Sequence, residues 1–480
     1  SNRKIKCDKL VVQLSPNPFK EKRMDIEEEK RMDREEEKRI DIEEEKGIEK
    51  GKEEEEKKKV VVIFGIGSRG DLQPLVAVGL ELKKRGWEVR VATEERNKSL
   101  IEDTFSLIFL KITGDSAGII FEPEFQEMLA KGTLMPMMQE TDKRKQAIWP
   151  EVSQDYIAAS EGADLILSGA LALTESYCVA EKRGVPWAPI LFGPTYPTRE
   201  FPLFFVTETS LFGWLNLQTY NFVFWALWLQ EKDRINKWRA EALSLPPMPD
   251  GMIKVIQQKQ LLNIGAFDPL MCPGEKVPQD YPSYFRVFGS AFVPDESDKQ
   301  LEPKLEDFLQ EGPPPLYLGF GSMPSANPQE FLDMATLVCK TLNCRAVIVA
   351  GWSGLGESTE NNCNKNILVV KQAPHHLLLH RCQTIVHHCG AGTCAAALRS
   401  GRPQICVPVL LDQPHNANHM HNLGVAPPPI PRKELKLEVL IARLKSIGEK
   451  MEGRAKELGE RVILDGTEKA CDAILQLVEE

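Results

Sequence analysis

From Val60 onward, short runs of β-branched residues alternate with stretches whose apolar residues recur at helical spacing. VVVIF (60–64) precedes PLVAVGLELKKRG (74–86) and EVRVAT (88–93); DLILSG (164–169) precedes ALTESYCVAEKRG (172–184) and PWAPILFG (186–193). A second series begins at PPLYLGFGS (314–322) and continues through FLDMATLVCKTL, RAVIVAG, NILVVKQ, TIVHHCG and QICVPVL. Strand–helix alternation of this kind predicts parallel, doubly wound sheets, because a parallel strand pair needs a crossover and a helix supplies it.

Two such series predict an α/β fold of two Rossmann-like domains facing each other across a cleft. The first is expected over 60–293 and the second over 316–480, with the last helix packing back on the first domain. Between them, PDESDKQLEPKLEDFLQEGPPP (294–315) is acidic and proline-rich and reads as a linker. Residues 211–229, LFGWLNLQTYNFVFWALWL, break the alternation. Asn216, Gln218 and Asn221 interrupt the apolar run, which falls short of the roughly 20 residues that span a bilayer. The segment reads as an amphipathic helix that lines an apolar pocket or rests on a membrane surface.

Residues 20–59 carry an eight-residue repeat visible as MDIEEEKR, MDREEEKR and IDIEEEKG. Eight residues advance a helix by about 80° beyond two turns, so Met24, Met32, Ile40 and Ile48 drift around it and form no stripe. A solvated, disordered tether over 1–59 is expected. Its 18 basic and 19 acidic side chains nearly cancel, so the net charge of −10 belongs almost wholly to the body of the chain. An acidic body argues against nucleic acid as a partner. Eleven cysteines occur without a C-x-x-C pair and no secretory leader is legible before them, so free thiols in a reducing, cytoplasmic setting are expected, with peripheral membrane contact through the 211–229 helix.

The loop FGIGSRGDLQP (64–74) contains G-x-G-x-x-G, the weak signature of a dinucleotide site. In that fold the third glycine lies inside the first helix, whereas Pro74 follows Gly70 by four residues and proline is tolerated only in a first turn. The helix is therefore expected to start near Leu72 to Pro74, with the glycines in an extended loop. Glu94, after the second strand, could still serve as a ribose-binding acid, so a dinucleotide-binding oxidoreductase stays open as a remote alternative. In the second series, IVHHCGAGT (385–393) runs from a strand through small residues into a helix whose first N–H groups make an anion site, with His388 as an extra donor. Asp412 and Gln413, after QICVPVL, offer a carboxylate and an amide suited to sugar hydroxyls.

SRGDLQP, GFGS, GWSGLG, HHCGAGT and LLDQP, in this order and spacing, resemble the nucleotide-sugar glycosyltransferases of the two-domain GT-B type, and most nearly their sterol 3β-glucosyltransferase branch. The resemblance covers 60–480. It implies that the second domain binds a UDP-sugar, UDP-glucose above all, as co-substrate, with no cofactor. It further implies that Ser322, His388, Gly390, Gly392 and Thr393 contact phosphate, that Asp412 and Gln413 hold the sugar, and that the stretch around Gln372 and Ala373 carries the uracil. Three departures stand out: Cys389 replaces a glycine of the sterol branch, Gln372 stands where plant relatives place a stacking tryptophan, and Leu410-Leu411 replaces an aromatic and a glycine.

Transfer to a hydroxyl needs a base and stabilisation of the departing diphosphate. All eight histidines lie between His375 and His421, so the first domain has no histidine base and Asp71 is the natural substitute, unless it is only a helix cap. Ser68, Arg69 and Gly70 are read as support for its loop. Trp352 fits either the core or the site. The spacing of Cys389, Cys394 and the histidines gives no paired ligand knuckles, so no metal is expected. The expected reaction is inverting transfer of a hexose to a hydroxyl of an apolar acceptor such as a sterol, met by the aromatic-rich 195–230; a non-catalytic binding or scaffold protein of the same fold is the alternative. Deleting residues 1–58 is expected to leave folding and turnover intact, as circular dichroism and product formation on a purified truncation would establish.

Overall fold

The computed structural model describes residues 58–122, 124–125, 127–128, 134–293, 300–319, 328–350, 365–409 and 411–479. The charged N-terminal segment, Ser322 with most of GFGS, Trp352 with GWSGLG, and Leu410 lie outside the described residues. Among the described residues the strands form two sheets, parallel throughout.

The first sheet contains β1 (Val60–Phe64), β2 (Glu88–Glu94), β3 (Ile108–Ile112), β4 (Leu165–Ser168), β5 (Trp187–Leu191), β6 (Asn263–Gly265) and β7 (Phe285–Val287), in the order 3-2-1-4-5-6-7. The second contains β8 (Leu316–Gly319), β9 (Ala346–Val349), β10 (Ile367–Val370), β11 (Thr384–His387) and β12 (Gln404–Cys406), in the order 10-9-8-11-12. Every residue of β1, β4, β5, β8 and β11 is buried, as expected for parallel strands covered on both faces. In each sheet the strand order reverses beside its first strand, between β1 and β4 and between β8 and β11. The carboxyl ends of strands at such a reversal open into a crevice, because the flanking connections leave in opposite directions. The loop GIGSRG follows β1 and the turn HCG follows β11, so both motifs sit at these two openings.

The helices that matter below are α1 (Arg69–Lys84), α2 (Leu173–Arg183), α3 (Gly213–Trp238), α4 (Pro328–Leu342), α5 (Ala391–Arg399), α6 (Gln413–Asn422), α7 (Glu449–Arg461) and α8 (Gly466–Glu479). Although it is last in sequence, α8 buries Ala470, Cys471 and Ile474 in the core formed by β1, α1 and β2, and Arg85 Nη1 donates to Asp472 Oδ1 at 2.6 Å. Further contacts join the halves: His419 Nε2 donates to the Leu270 carbonyl (2.6 Å), the Ile463 N–H donates to Asp268 Oδ2 (2.8 Å), and Arg454 and Arg461 both pair with Glu275. Residues 59–480 thus form one compact unit.

One expectation needs revision. Part of the segment read as linker is a helix, Pro303–Gln310, whose Leu305, Phe308 and Leu309 are buried with Tyr317, Val347 and Leu368 of the second sheet. Its acidic surface concealed an apolar face at helical spacing. Near its start α3 buries polar residues and exposes aromatic ones, while Tyr220, Trp228, Ile235 and Trp238 further along are buried. Asn216 is buried, accepting from the Leu211 N–H (2.9 Å) and donating to the Arg199 carbonyl (2.9 Å), and Thr219 Oγ1 accepts from the Leu203 N–H (2.8 Å). Phe212, Trp214, Phe222, Trp225 and Leu229 instead face solvent. Among the described residues no helix is long and apolar enough to cross a membrane.

Because α8 contributes buried side chains to the core of the first half, Ile474→Ala should lower stability by about 2–4 kcal/mol through the cavity it leaves. Denaturant unfolding checks this, and a loss below about 0.5 kcal/mol would be the value of a surface substitution instead.

Candidate active site

The first motif is organised by a capping box. Ser68, with extended backbone, caps α1; its Oγ accepts from the Gly70 N–H (3.2 Å), while Asp71 Oδ2 accepts from both the Ser68 N–H and the Ser68 Oγ–H (2.8 Å each). The helix therefore starts at Arg69, earlier than the Leu72 to Pro74 expected from the proline rule, and Pro74 lies inside it. Pro74 removes the bond to the Gly70 carbonyl, but Gly70 is exposed and water can serve that carbonyl. Asp71 is thus the third helical residue of a box whose cap is Ser68. Gly67 has φ +121°, and a Cβ there would lie 2.5 Å from Asp71 Oδ2. Only glycine lets the loop close over the carboxylate.

Both bonds fall on Oδ2, which leaves Oδ1 as the oxygen to take a proton. Burial pushes the Asp71 carboxyl above the ordinary aspartate range, and the Ser68 bonds pull it part of the way back. Glu94, the candidate ribose acid, is committed elsewhere: its two oxygens accept from the Ser116 N–H (2.7 Å) and Oγ–H (2.8 Å). The dinucleotide alternative loses its second anchor.

Arg69 reaches the other domain. Its Nη1 donates to Gln372 Oε1 at 3.4 Å, and its charge acts on Tyr317 and His375, which share a hydrogen bond of 3.0 Å. Burial, then the Arg69 charge, pushes His375 down to about 4. Gln372 is exposed after β10, whereas the Ala373 methyl packs against the core of the second domain.

At the second opening Gly390 caps α5 without a side-chain bond, so the first N–H groups of that helix, including those of Gly392 and Thr393, lack helical partners. Nothing lies within 4 Å of where a Cβ on Gly392 would be, so that backbone is open to approach. A Cβ on Gly390 would lie 2.7 Å from His388 Nε2, so the imidazole rests directly against the cap. His388 is held down to about 3, by burial first and then by His387 and His375. It is therefore a neutral hydrogen-bonding group, and its Nδ1 is buried with no partner among the described residues.

Asp412 caps α6 by position, but its Oδ2 accepts from Asn416 Nδ2 (2.8 Å), which also donates to the Cys389 carbonyl (3.0 Å). Asn416 thus ties the two turns together. Sequence reasoning missed it, although its place four residues after Asp412 on a helix was a usable signal. Gln413 Oε1 accepts from the Val409 N–H (2.9 Å) and so helps fold its own turn. Burial pushes Asp412 up to about 6, against the Asn416 bond and with a smaller contribution from the Asp71 charge.

Cys389 has φ +65°, a conformation in which a glycine would be unstrained, and its thiol turns into the core. His387, Cys389 and Cys394, whose spacing in sequence gives no ligand knuckles, have ligand atoms within 4.8 Å of one another in the fold.

Comparison with known proteins agrees with this architecture. The glycosyltransferase family 28 N-terminal domain matches residues 61–202, and the erythromycin biosynthesis protein CIII-like C-terminal domain matches 342–457. The chain is 29% identical over 428 residues to O-mycaminosyltylonolide 6-deoxyallosyltransferase of Streptomyces fradiae, covering 87% of this chain and 97% of that one. It is 28% identical over 404 residues to a sterol 3-beta-glucosyltransferase of Arabidopsis thaliana, covering 80% of this chain but 62% of that longer enzyme. The crystal structure of glycosyltransferase VinC in complex with DTDP superposes with a TM-score of 0.60 at 20% identity, over 88% of this chain and 99% of that one. With both halves matched in order, the chain belongs to the glycosyltransferases that carry the family 28 N-terminal domain and the erythromycin biosynthesis protein CIII-like C-terminal domain, here folded as two Rossmann-like domains.

Proposed function

We propose that the protein transfers a hexose from a UDP-sugar, UDP-glucose in the first instance, to a hydroxyl of an apolar acceptor of the sterol class, with inversion at the anomeric carbon. The observation that carries this reading is geometric: the Asp71 loop follows β1 and the uncapped start of α5 follows β11, each at the strand-order reversal of its own sheet. Asp71 Oδ1 takes the acceptor proton as its oxygen attacks the anomeric carbon. The bond to the β-phosphate breaks, and the free N–H groups of α5, with neutral His388, receive the charge of the departing UDP. Ser322 is assigned to the same phosphates on motif resemblance alone.

The acceptor side is supported by contacts beside Asp412. Phe204 stacks on His415 of α6 at 4.7 Å, and Asn418 Nδ2 of the same helix donates to Glu208 at 2.6 Å. These hold the aromatic segment 201–212 next to the turn assigned to the sugar. A ring system entering there would meet apolar surface. The solvent-facing aromatics of α3 favour contact with a membrane surface, where a lipid acceptor would reside. Incubation with UDP-glucose, and separately with dTDP-sugars, against sterols and macrolide aglycones, with products identified by mass spectrometry, tests donor and acceptor together. A product formed only from a dTDP-sugar and a macrolide would replace the sterol reading, and no product with any pair would favour a non-catalytic binding protein.

Asp71→Asn should keep the fold and UDP affinity while lowering turnover by about 10²–10⁴, since an amide preserves shape but cannot accept the proton. In the unmodified protein the acid limb of kcat/KM should lie above the ordinary aspartate range, because the raised carboxyl protonates earlier as pH falls. Near-normal turnover of the variant with a lowered melting temperature would reduce Asp71 to a capping residue.

Asp412→Asn separates binding from stability. A carboxyl held up to about 6 in the folded chain binds its proton more tightly than when unfolded, so its cost to stability appears as pH rises through roughly 4 to 6 and is complete above that. The variant should therefore gain about 1–3 kcal/mol at pH 8 and nothing near pH 4, while losing transfer activity. Thermal unfolding at the two pH values checks the sign.

A further inference from the structure

Beneath the α5 turn, among the described residues, one group of His, Cys, Asp and Glu side chains is close enough to share an ion. It comprises His387 at the end of β11, Cys389 in the turn and Cys394 in α5, all buried, with ligand atoms within 4.8 Å of one another. A fourth donor adjoins them. Cys406 on β12 is the parallel-strand partner of His387, and its buried thiol is hydrogen-bonded with both Cys389 and His387. Paired residues on neighbouring strands point to the same side of a sheet, so His387 and Cys406 share a face for a reason built into the register.

Two further observations distinguish this cluster from ordinary buried thiols. First, the His387 ring is oriented as metal-binding imidazoles are: its Nε2 donates to Gln404 Oε1 at 2.9 Å, which fixes the tautomer and turns the Nδ1 lone pair toward the thiols, where the Cys389 N–H (3.2 Å) and the Cys406 thiol donate in the absence of an ion. Second, Cys389 keeps a left-handed backbone that costs a non-glycine residue about 1 kcal/mol, and that conformation directs its sulfur into the cluster.

We propose that His387, Cys389, Cys394 and Cys406 form a closed tetrahedral site for one zinc ion, a structural centre that braces the diphosphate-facing turn from behind. Three cysteines and one histidine are a usual structural zinc set, and zinc–sulfur bonds of about 2.3 Å put tetrahedral sulfurs about 3.8 Å apart. His387, Cys389 and Cys394 reach this by closing by roughly 1 Å, and Cys406 joins them through the hydrogen bonds its thiol makes with Cys389 and His387. Binding balances as the loss of three thiol protons to solvent: Zn²⁺ with three thiolates and one neutral imidazole leaves a centre of charge −1. The ion lies on the core side of the turn, so it neither displaces nor touches the N–H groups that face the cleft. Through Asn416, which holds the Cys389 carbonyl and the Asp412 carboxylate together, the braced turn also fixes the sugar-side carboxylate.

The test uses the untagged full chain, purified under reducing conditions. Metal analysis should find about one zinc per chain, and exchange with Co²⁺ should give thiolate-to-cobalt charge-transfer bands with the intense visible bands of a tetrahedral centre. Adding Zn²⁺ to stripped protein should raise the melting temperature, and a chelator should reverse it. Cys394→Ser and Cys406→Ser should each lose the cobalt thiolate bands and the zinc-dependent shift, whereas Cys471→Ser, a buried thiol of the other domain, should keep both. Because the wild-type measurements need no variant, misfolding of a serine variant does not blunt the test. Reduced wild-type protein that retains under about a tenth of an equivalent of zinc and gives no thiolate bands with Co²⁺ overturns the proposal, leaving the four side chains as core packing.

Discussion

The two hydrogen bonds that Asp71 Oδ2 accepts from Ser68 set the geometry of the cleft. They start α1 at Arg69, so the guanidinium of that residue leaves the first helical turn toward Gln372, and they turn one face of the carboxylate inward while the other stays toward the cleft. A carboxylate that caps a helix is usually stabilised as the anion, yet here burial outweighs the cap and the group is held upward. The same atoms therefore fold the loop and tune its acid. That economy is why Gly67 has no room for a side chain.

The second opening follows a comparable logic with different chemistry. No side chain caps α5, so its N–H groups stay available, and the neutral His388 ring rests against Gly390. Asn416 joins the turn after β11 to the turn after β12 by donating to the Cys389 carbonyl and to Asp412 Oδ2. Between the halves, α8 crosses back to α1 through apolar packing, and the Glu275 carboxylate joins Arg454 and Arg461 at a partly exposed edge. Exposed ion pairs contribute little each, so burial of Ala470, Cys471 and Ile474 is the larger stabilising contribution of that crossing.

Of the candidate site, the parts legible in the sequence were those written in local backbone chemistry: glycines at turns, an aspartate after the first strand, a small-residue turn before a helix, and an Asp-Gln pair after a strand. What could not be read were relations between residues far apart in sequence. Arg69 and Gln372 are 303 positions apart, and nothing local to either announces the other. The convergence of His387, Cys389, Cys394 and Cys406 likewise depends on strand register and on the left-handed turn at Cys389, not on ligand spacing. Near the start of helix α3, Asn216 is spent on the neighbouring backbone while Trp214 and Phe222 are left outside, a division that its position in an apolar run did not announce.

By itself the sequence determined the fold class, because alternating β-branched and amphipathic runs have few packings other than parallel, doubly wound sheets, and it determined that two such units follow one another. It also located the two openings, since the motifs lie directly after the strands at which the order reverses. Only the tertiary structure decided where α1 begins, that 303–310 belongs to a packed core, and which carboxylates are raised. The physical reason is common to all of these: cap geometry, burial and charge proximity are properties of surroundings, and a residue's surroundings are supplied by segments its own neighbours in sequence do not specify.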